Sequence, residues 1–219
     1  GRKLIGQDAD VVHKPQAVRL RMALEELGPT FIKFGQLLSM RPDVVPEALI
    51  KELRKLQEEV SPVSFDQIRP ILEEGLGQGL DSVFSEFEEQ AVAGASMAQV
   101  HRAKLLATGE RVAVKIQRPN LEKVIDADFD ILMWLARQAH ERIDDLRPIH
   151  LPGVVETMRD GLERELDFRR EGRGLSFFSR RNAYPKDVCS PKIYEEFCSR
   201  RVLVMEWIGG RRLEEVVPG

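Results

Sequence analysis

The sequence predicts an α+β domain, in which a small antiparallel sheet with flanking helices follows a helical N-terminal extension. Three observations predict this class. Apolar residues recur at helical spacing through the first part of the chain, residues 1–80. Two β-branched runs joined by a turn follow in the second part, residues 81–208. Two long helical patterns lie between this hairpin and the last strands.

The extension divides into short helices at its proline and glycine residues. The spacing of apolar side chains predicts helices over residues 16–27, 31–40, 46–59 and 64–74. Gly35 lies inside the second of them, where a glycine costs about 1 kcal/mol relative to alanine. This cost indicates that another group packs closely against Gly35, either at a crossing of two helices or in a segment with a function.

The sheet is predicted from residue 81 onward. Residues 99–106 and 111–117 flank a turn around Gly109, and the period-two alternation of the second run predicts a β-hairpin. Residues 81–89 alternate over a shorter run and predict another strand. The remaining elements are two long helices and two strands, over residues 121–143, 153–180, 192–195 and 201–207.

Composition and charge exclude several classes of function. The 219 residues carry 33 basic and 36 acidic side chains, a net charge of −3, so a basic nucleic-acid-binding surface is not expected. The longest apolar run, residues 131–136, is far shorter than the roughly 20 residues of a membrane-spanning helix. The spacing of Cys189 and Cys198 predicts two reduced thiols, and neither the cysteines nor the histidines have the spacing of metal ligands. The sequence therefore predicts no metal site.

The segment AVAGASMAQVHR, residues 91–102, leads into the hairpin and is rich in small residues. Small residues let the backbone approach a ligand closely, and the backbone N–H groups of such a loop can bind phosphate. Alanine and serine stand where a phosphate-binding loop has most of its glycines. The segment is therefore either such a loop or a small-residue turn that packs beneath a helix.

A lysine interrupts the apolar alternation of the second hairpin strand. In VAVK, Val112 and Val114 face one side of the strand, while Ala113 and Lys115 face the other. A charge in that position must reach solvent, a carboxylate or an anion. Protein kinases use a lysine on such a strand to bind nucleotide phosphates and to pair with a helix glutamate. The alternative is an edge-strand lysine that extends into solvent.

The second long helical pattern carries three acidic residues of interest. On one continuous helix Asp167 and Glu171 share a face, whereas Glu165 and Asp167 point about 200° apart and cannot bind one ion together. The alternative for Glu165 is an exposed pair with Arg169, which contributes roughly 0.2–0.5 kcal/mol.

Together these segments resemble the UbiB-type atypical protein-kinase-like family, which is linked to coenzyme Q biosynthesis. The likeness covers residues 27–215. LGPTFIKFGQLLSM resembles the family's extension with its Lys-x-Gly-Gln motif, and AGASMAQVHRA resembles its alanine-rich loop. VAVKIQRP resembles its nucleotide-lysine strand, ERELDFRREG its Glu-x-Asp segment, and VLVMEWIGG its last strand and hinge.

The resemblance implies the N-lobe of a kinase-like fold and a role for each motif. Lys115 would contact the nucleotide phosphates and pair with Glu171. Lys33 would meet Glu165 or Asp167 in the pocket, and Glu206 would offer hinge backbone to the adenine. The loop would cover the phosphates through its backbone, with the residues Ala93, Gly94, Ala95, Ser96, Met97, Ala98 and Gln99.

The resemblance also implies ATP or ADP with Mg²⁺ as the cofactor of the full-length parent. The catalytic aspartate, the metal-binding asparagine and the Asp-Phe-Gly segment of kinases follow the hinge. None of these patterns occurs in the 219 residues, so the metal ligands are absent from this chain. Residues 209–219 are expected to begin the hinge and C-lobe, with the chain truncated there and catalytically incompetent by itself.

Three functions from different classes follow. The chain is a fragment of a UbiB-type kinase or ATPase that binds adenine nucleotide and supports ubiquinone biosynthesis, or a non-catalytic nucleotide- or partner-binding module. The third is a structural or interaction protein that uses its N-terminal helices against a membrane surface or a partner. As partners, the resemblance leaves open quinone-biosynthesis proteins, lipid and a second copy in a homodimer, and nucleic acid is not expected. The expected location is the cytoplasm, with peripheral contact at the bacterial inner membrane or an organelle membrane left open.

Overall fold

The computed structural model describes most of the chain. The described residues are 14–43, 45–56, 62–182 and 188–210. Two sequence predictions lie partly outside them, namely the end of the helix predicted over residues 46–59 and most of the hinge predicted over residues 209–219.

Along the described chain, helices come first, four strands follow, and further helices precede the last strand. The helices are α1 (Gln16–Leu27), α2 (Pro29–Ser39), α3 (Glu47–Leu53), α4 (Phe65–Leu76), α5 (Leu80–Val83), α6 (Leu121–Arg142), α7 (Leu151–Glu165) and α8 (Phe168–Arg181). The strands are β1 (Phe84–Phe87), β2 (Ala93–Gly94), β3 (Ala98–Leu105), β4 (Arg111–Gln117) and β5 (Val202–Glu206). The predicted α+β class and the predicted hairpin, now β3 and β4, are confirmed. None of the helices within the described residues is long and apolar enough to cross a lipid bilayer.

The chain divides into two compact units, and each takes two stretches of sequence. The helical unit comprises residues 1–60 and 120–162, and the sheet unit comprises residues 61–119 and 163–219. The domain boundaries predicted from the sequence, at residues 80 and 208, remain a prediction.

The helical unit has an apolar core in which leucines pack around a glycine. The buried side chains of this core are Leu24, Phe31, Ile32, Val45, Ile50, Leu53 and Leu56. A Cβ on Gly35 would overlap Leu56 and lie 2.9 Å from Leu24 Cδ1. The close packing predicted at Gly35 is therefore present, and within this unit the neighbours are leucines of α1 and of the α3 region.

The sheet unit is built on one antiparallel sheet with the order β1-β3-β4-β5, and β2 also pairs with β3. Beyond β5 the sheet gains one isolated bridge, between Ile193 and Met205. Lys115 lies near its middle, directly opposite Val100 on β3 and Leu203 on β5. Helices α4 and α5 cover the opposite face, where Ile68 and Leu72 are fully buried.

The helix predicted over residues 153–180 is wrong, because it is two helices with a break at Leu166 and Asp167. Leu166 and Phe168 are both buried. On one continuous helix these two side chains would point about 200° apart, so a single core could not bury both. Asp167 starts the second helix as its N-cap, since its side chain accepts a hydrogen bond from the N–H of Arg169.

Three other predicted elements are shorter in the structure. The third helix ends at Leu53, and the N–H of Leu56 donates to the carbonyl oxygen of Leu53 at 3.1 Å in a tighter turn that brings Leu56 into the core. The strand predicted over residues 192–195 is reduced to the bridge at Ile193, followed by a 3₁₀ turn at Glu195–Phe197. In the strand predicted over residues 81–89, the first residues belong to α5 and only β1 is extended.

Candidate functional site

Lys115 forms the centre of the candidate site. Its Nζ lies 2.7 Å from Oε2 of Glu171 and 4.8 Å from the centroid of the Phe168 ring. The side chain of Lys115 is 24% exposed and that of Glu171 40% exposed, so both groups are reachable by a ligand. The predicted pairing of these two residues is thus present in the geometry, and the role of the pair remains a prediction.

The start of α8 brings Glu171 to Lys115. Phe168, the first residue of α8, donates its N–H to the carbonyl oxygen of Arg200 at 3.0 Å and packs in one cluster with Ala98 and Leu203. Gly172 allows the helix to approach β5, since a Cβ there would lie only 3.1 Å from Leu203 Cδ1. An acidic side chain in the first turn, such as Glu171, also interacts favourably with the helix dipole.

Gln117 supports the same arrangement from the strand that carries Lys115. It lies two residues further along β4 and therefore on the same face. Its side-chain amide donates to the carbonyl oxygen of Leu166 at 3.2 Å and accepts from Nε of Arg201 at 3.2 Å. This hydrogen bond to Leu166 holds the break between α7 and α8 against β4.

The alanine-rich segment forms a tight turn between β2 and β3. The N–H of Ala95 donates to the carbonyl oxygen of Ala98 at 2.8 Å, and Ser96 and Met97 are buried. Arg118, which directly follows β4, donates from Nε to the carbonyl oxygen of Ala95 at 2.9 Å. Sequence reasoning missed Arg118, because nothing in the pattern indicates that an arginine after a strand will be buried against a loop.

Gln99 and His101 face the side of the sheet opposite Lys115, because Val100 between them is paired with Lys115. The amide of Gln99 accepts from the N–H of Val63 at 2.9 Å and donates to the carbonyl oxygen of Val63 at 3.2 Å. Its nitrogen also lies 3.0 Å from Nε2 of His101. Burial lowers the pKa of the His101 imidazole. A nucleotide contact of Gln99 would therefore use its backbone.

The predicted acidic residues Glu165 and Asp167 flank the helix break. Asp167 accepts from Nε of Arg169 at 2.8 Å and from Nη2 at 2.9 Å, and these hydrogen bonds lower the pKa of the Asp167 carboxyl. Glu165 is the exposed last residue of α7. Lys33 belongs to α2 of the helical unit, and its predicted contact with Glu165 or Asp167 remains a prediction.

No metal-binding cluster accompanies these acids in the described part of the chain. Groups of three or more His, Cys, Asp or Glu side chains that could hold a metal ion are absent from the described residues.

Glu206 ends β5 at the predicted hinge. Its N–H donates to the carbonyl oxygen of Lys192 at 2.8 Å, so a backbone contact of Glu206 with adenine would use its carbonyl oxygen. A cavity of about 500 Å³ lies beside this point, and its lining includes Arg102, Arg111 and Trp207. The guanidinium carbon of Arg102 lies 4.4 Å above the Trp207 ring.

A comparison with models of protein families assigns the chain to a family. The model of the ABC1 atypical kinase-like domain matches residues 55–217. The chain belongs to the ABC1 atypical kinase-like family. The UbiB-type family and the kinase-like fold predicted from the sequence are thereby confirmed. The loop, Lys115, Glu171 and Glu206 lie inside the matched range, whereas Lys33 precedes it.

Individual relatives agree with this family. The chain is 43% identical over 197 residues to the "Probable protein kinase UbiB" of Azotobacter vinelandii. This alignment covers 90% of this chain and 36% of that protein. It is 40% identical over 209 residues to the "Protein ACTIVITY OF BC1 COMPLEX KINASE 1, chloroplastic" of Arabidopsis thaliana, covering 95% of this chain and 30% of that protein. The chain therefore spans about a third of the length of these relatives.

A solved structure shares the fold. The Mycobacterium tuberculosis protein Rv3197, solved as a complex with erythromycin, superposes with a TM-score of 0.61 at 28% sequence identity. The match covers 95% of this chain and 52% of that one. The likeness of fold therefore extends over almost the whole length of this chain.

Proposed function

We propose that this chain is the nucleotide-binding lobe, with its helical extension, of a UbiB-type atypical kinase or ATPase. The lobe binds an adenine nucleotide with Mg²⁺, and the parent protein acts on a small-molecule or lipid-linked substrate in support of ubiquinone biosynthesis. The observation that carries the proposal is the 2.7 Å contact between Lys115 Nζ and Glu171 Oε2. The UbiB names of the relatives support the link to quinone metabolism.

The contact is better explained by function than by stability. Lys115 and Glu171 are 56 positions apart and come from a strand and a helix. A partly exposed ion pair contributes only about 0–1 kcal/mol to folding, so stability gives little reason to bring them together. The ammonium group has three N–H donors, and Glu171 orients it by taking one of them. Such an oriented lysine binds the α- and β-phosphates in kinases.

The chain's own residues would hold the nucleotide in three places. Lys115 binds phosphate oxygens, the turn around Ser96 covers them with its backbone, and the backbone near Glu206 contacts adenine. A magnesium ion bound with the nucleotide would neutralise part of the charge on its phosphates. The patterns that supply a catalytic aspartate and magnesium ligands in kinases do not occur in the 219 residues. We therefore expect no ATP hydrolysis by these residues alone above the rate of the Lys115→Ala variant.

Thermal unfolding with and without ATP and Mg²⁺ tests nucleotide binding. At a ligand concentration about a hundred times Kd, we expect the midpoint of the wild-type chain to rise by about 5–10 °C. Lys115→Ala should lose most of this shift, and Glu171→Gln should reduce it.

Lys51→Ala is the matched control. Lys51 is an exposed lysine of α3 in the helical unit, where its Nζ lies 2.9 Å from Oε1 of Glu47. This variant should keep the full nucleotide shift. Absence of a shift in the wild-type chain would contradict the proposal and favour a partner-binding module instead, while an equal loss in both lysine variants would remove Lys115 from the site.

A parent that acts on a quinone lipid would work at a membrane surface, at the bacterial inner membrane or an organelle membrane. Flotation of the chain with liposomes, in the presence and absence of ATP and Mg²⁺, tests this part of the proposal. If the chain stays in the bottom fractions under both conditions, it does not bind the liposomes. Any membrane contact of the parent would then come from its other parts.

A further inference from the structure

We propose that Arg118 is a positioning residue, which holds the alanine-rich turn in the conformation that binds nucleotide phosphates. The proposal rests on the nucleotide-binding function above and adds a residue to that site. Arg118 directly follows β4 and lies three positions after Lys115. It therefore connects the strand that carries the phosphate-binding lysine to the turn that would cover the phosphates.

Arg118 contacts the turn at two points. Its main-chain N–H donates to the carbonyl oxygen of Met97 at 3.0 Å, and its side-chain Nε donates to the carbonyl oxygen of Ala95 at 2.9 Å. The turn itself is closed by the hydrogen bond from the N–H of Ala95 to the carbonyl oxygen of Ala98. One residue thus binds two carbonyl groups of a turn only four residues long.

These two contacts fix the orientation of the amides that follow. A trans peptide group is planar, and its C=O and N–H point in opposite directions. Binding of the Ala95 and Met97 carbonyl oxygens therefore also orients the N–H groups of Ser96 and Ala98. Backbone N–H groups of consecutive loop residues are the groups through which such a loop binds phosphate, so their orientation controls the fit of a nucleotide.

Stability alone does not explain an arginine in this position. Arg118 is 9% exposed, yet arginine keeps its charge in proteins. Burial of a charge is unfavourable unless hydrogen bonds compensate for it, and a hydrophobic residue of similar volume often serves stability as well or better. What arginine adds is a directional donor to the turn and a positive charge beside it, which attracts anions.

A comparison of two ligands, ATP with its phosphates and adenosine without them, separates a role in phosphate binding from a general structural role. ATP with Mg²⁺ and adenosine would each compete with a fluorescent adenine nucleotide on the wild-type chain and on Arg118→Met, Arg118→Lys and Arg69→Met. Arg69 is an exposed arginine of α4 in the same unit, so its variant controls for the substitution.

We expect Arg118→Met to raise the Kd of ATP about tenfold, the effect of one hydrogen bond to a charged group. The Kd of adenosine should change less than about twofold, because the turn acts on phosphates. Arg118→Lys should restore part of the ATP affinity, and Arg69→Met should match the wild type. Equal losses for ATP and adenosine, or unchanged or tighter ATP binding in Arg118→Met, would overturn the proposal.

Hydrogen exchange without nucleotide distinguishes failure of this proposal from failure of the proposed function. The Ala95 amide closes the turn, so it should exchange faster in Arg118→Met than in the wild type and at an intermediate rate in Arg118→Lys. If the wild-type chain binds no nucleotide, the proposed function fails, while faster exchange still shows that Arg118 holds the turn. Unchanged exchange at Ala95 shows that Arg118 does not position the turn, whatever the nucleotide result.

Discussion

The helical unit buries an almost purely apolar cluster, whereas the sheet unit buries a group of polar side chains beside its apolar core. Among the described residues of the helical unit, Thr30 is the buried polar side chain. The described residues of the sheet unit contain five, which are Ser96, Gln99, His101, Gln117 and Arg118. All five lie on β3, on β4, in the alanine-rich turn or directly after β4.

The two units therefore specify their structures differently, one by apolar packing and the other also by hydrogen bonds between buried polar groups. An apolar core requires side chains of suitable volume, and many sequences satisfy that requirement. A buried polar group requires a partner at a defined distance and angle, because an unsatisfied group is costly. The polar requirement falls on both sides of the sheet: Gln117 and Arg118 follow Lys115 along the chain, whereas Gln99 and His101 face the opposite side. The helical unit carries no comparable requirement in its described core.

The largest expected effect tests the apolar side of this comparison. Leu53 is fully buried in the helical unit, so Leu53→Ala should lower the free energy of unfolding by about 3 kcal/mol through lost burial and a residual cavity. Leu27→Ala is the control, since Leu27 is 55% exposed in the same unit, and it should change stability by less than about 0.5 kcal/mol. Urea denaturation of both variants measures the difference, and similar midpoints would show that the cluster is not the core of its unit.

The next effect tests the polar side. Gln99→Leu keeps the approximate volume but leaves the N–H and carbonyl of Val63 and a nitrogen of His101 without the amide that they contact. Stability should fall by about 1–3 kcal/mol. Gln67→Leu, on the exposed side of α4, should have little effect. Comparable stability of the two variants in urea would mean that the polar network contributes no specificity.

A pH series refines the same comparison. Burial lowers the pKa of His101 in the folded chain, while a histidine in an unfolded chain titrates near about 6.5. As the pH falls below about 6.5, the unfolded chain takes up a proton that the folded chain resists, so stability is complete above this pH and decreases below it.

The measurement is the urea midpoint at pH 8 and at pH 5.5, a range above the titration of ordinary carboxyl groups. The wild-type chain should be less stable at the lower pH, and His101→Gln should reduce this decrease. A decrease of the same size in His101→Gln would exclude the buried imidazole as its cause.

The smallest effect concerns two glycines of α8. A Cβ on Gly172 would lie 3.1 Å from Leu203 Cδ1, whereas nothing lies within 4 Å of a Cβ on Gly174. Gly172→Ala should therefore cost up to about 1 kcal/mol and shift Glu171 away from Lys115, which reduces the nucleotide-dependent thermal shift. Gly174→Ala should stabilise the helix by roughly 0.5–1 kcal/mol and leave that shift unchanged. The same sign of stability change in both variants would contradict the close approach of α8 to β5.

The sequence predicted the elements whose signal is local. The hairpin around Lys115 has a clear period of two, and the pairing of Lys115 with Glu171 followed from the order of the family's motifs. The break after Leu166 was missed because the charge-balanced segment continues a helical pattern across it. Only the burial of both Leu166 and Phe168, which depends on the rest of the sheet unit, reveals why the helix must stop.

Other features depend on long-range contacts and leave no local signal. Arg118 and Ala95 are 23 positions apart, and the side-chain contact forms only once β3 and β4 have paired. Gln99 was assigned to the loop, but the side of the sheet that it faces is set by the register with Lys115. A shift of that register by one residue would move Gln99 to the other face.

The separation of Lys115 from Glu171 also has a consequence during synthesis of the chain. At the usual elongation rate of 5–20 residues per second, the 56 positions between them take about 3–11 s to be added. The strand β5 emerges later still, and until then the edge of β4 that it will cover has no strand partner. An unpaired strand edge is a site at which chains aggregate, so the hairpin that bears Lys115 is open to aggregation for a period of seconds.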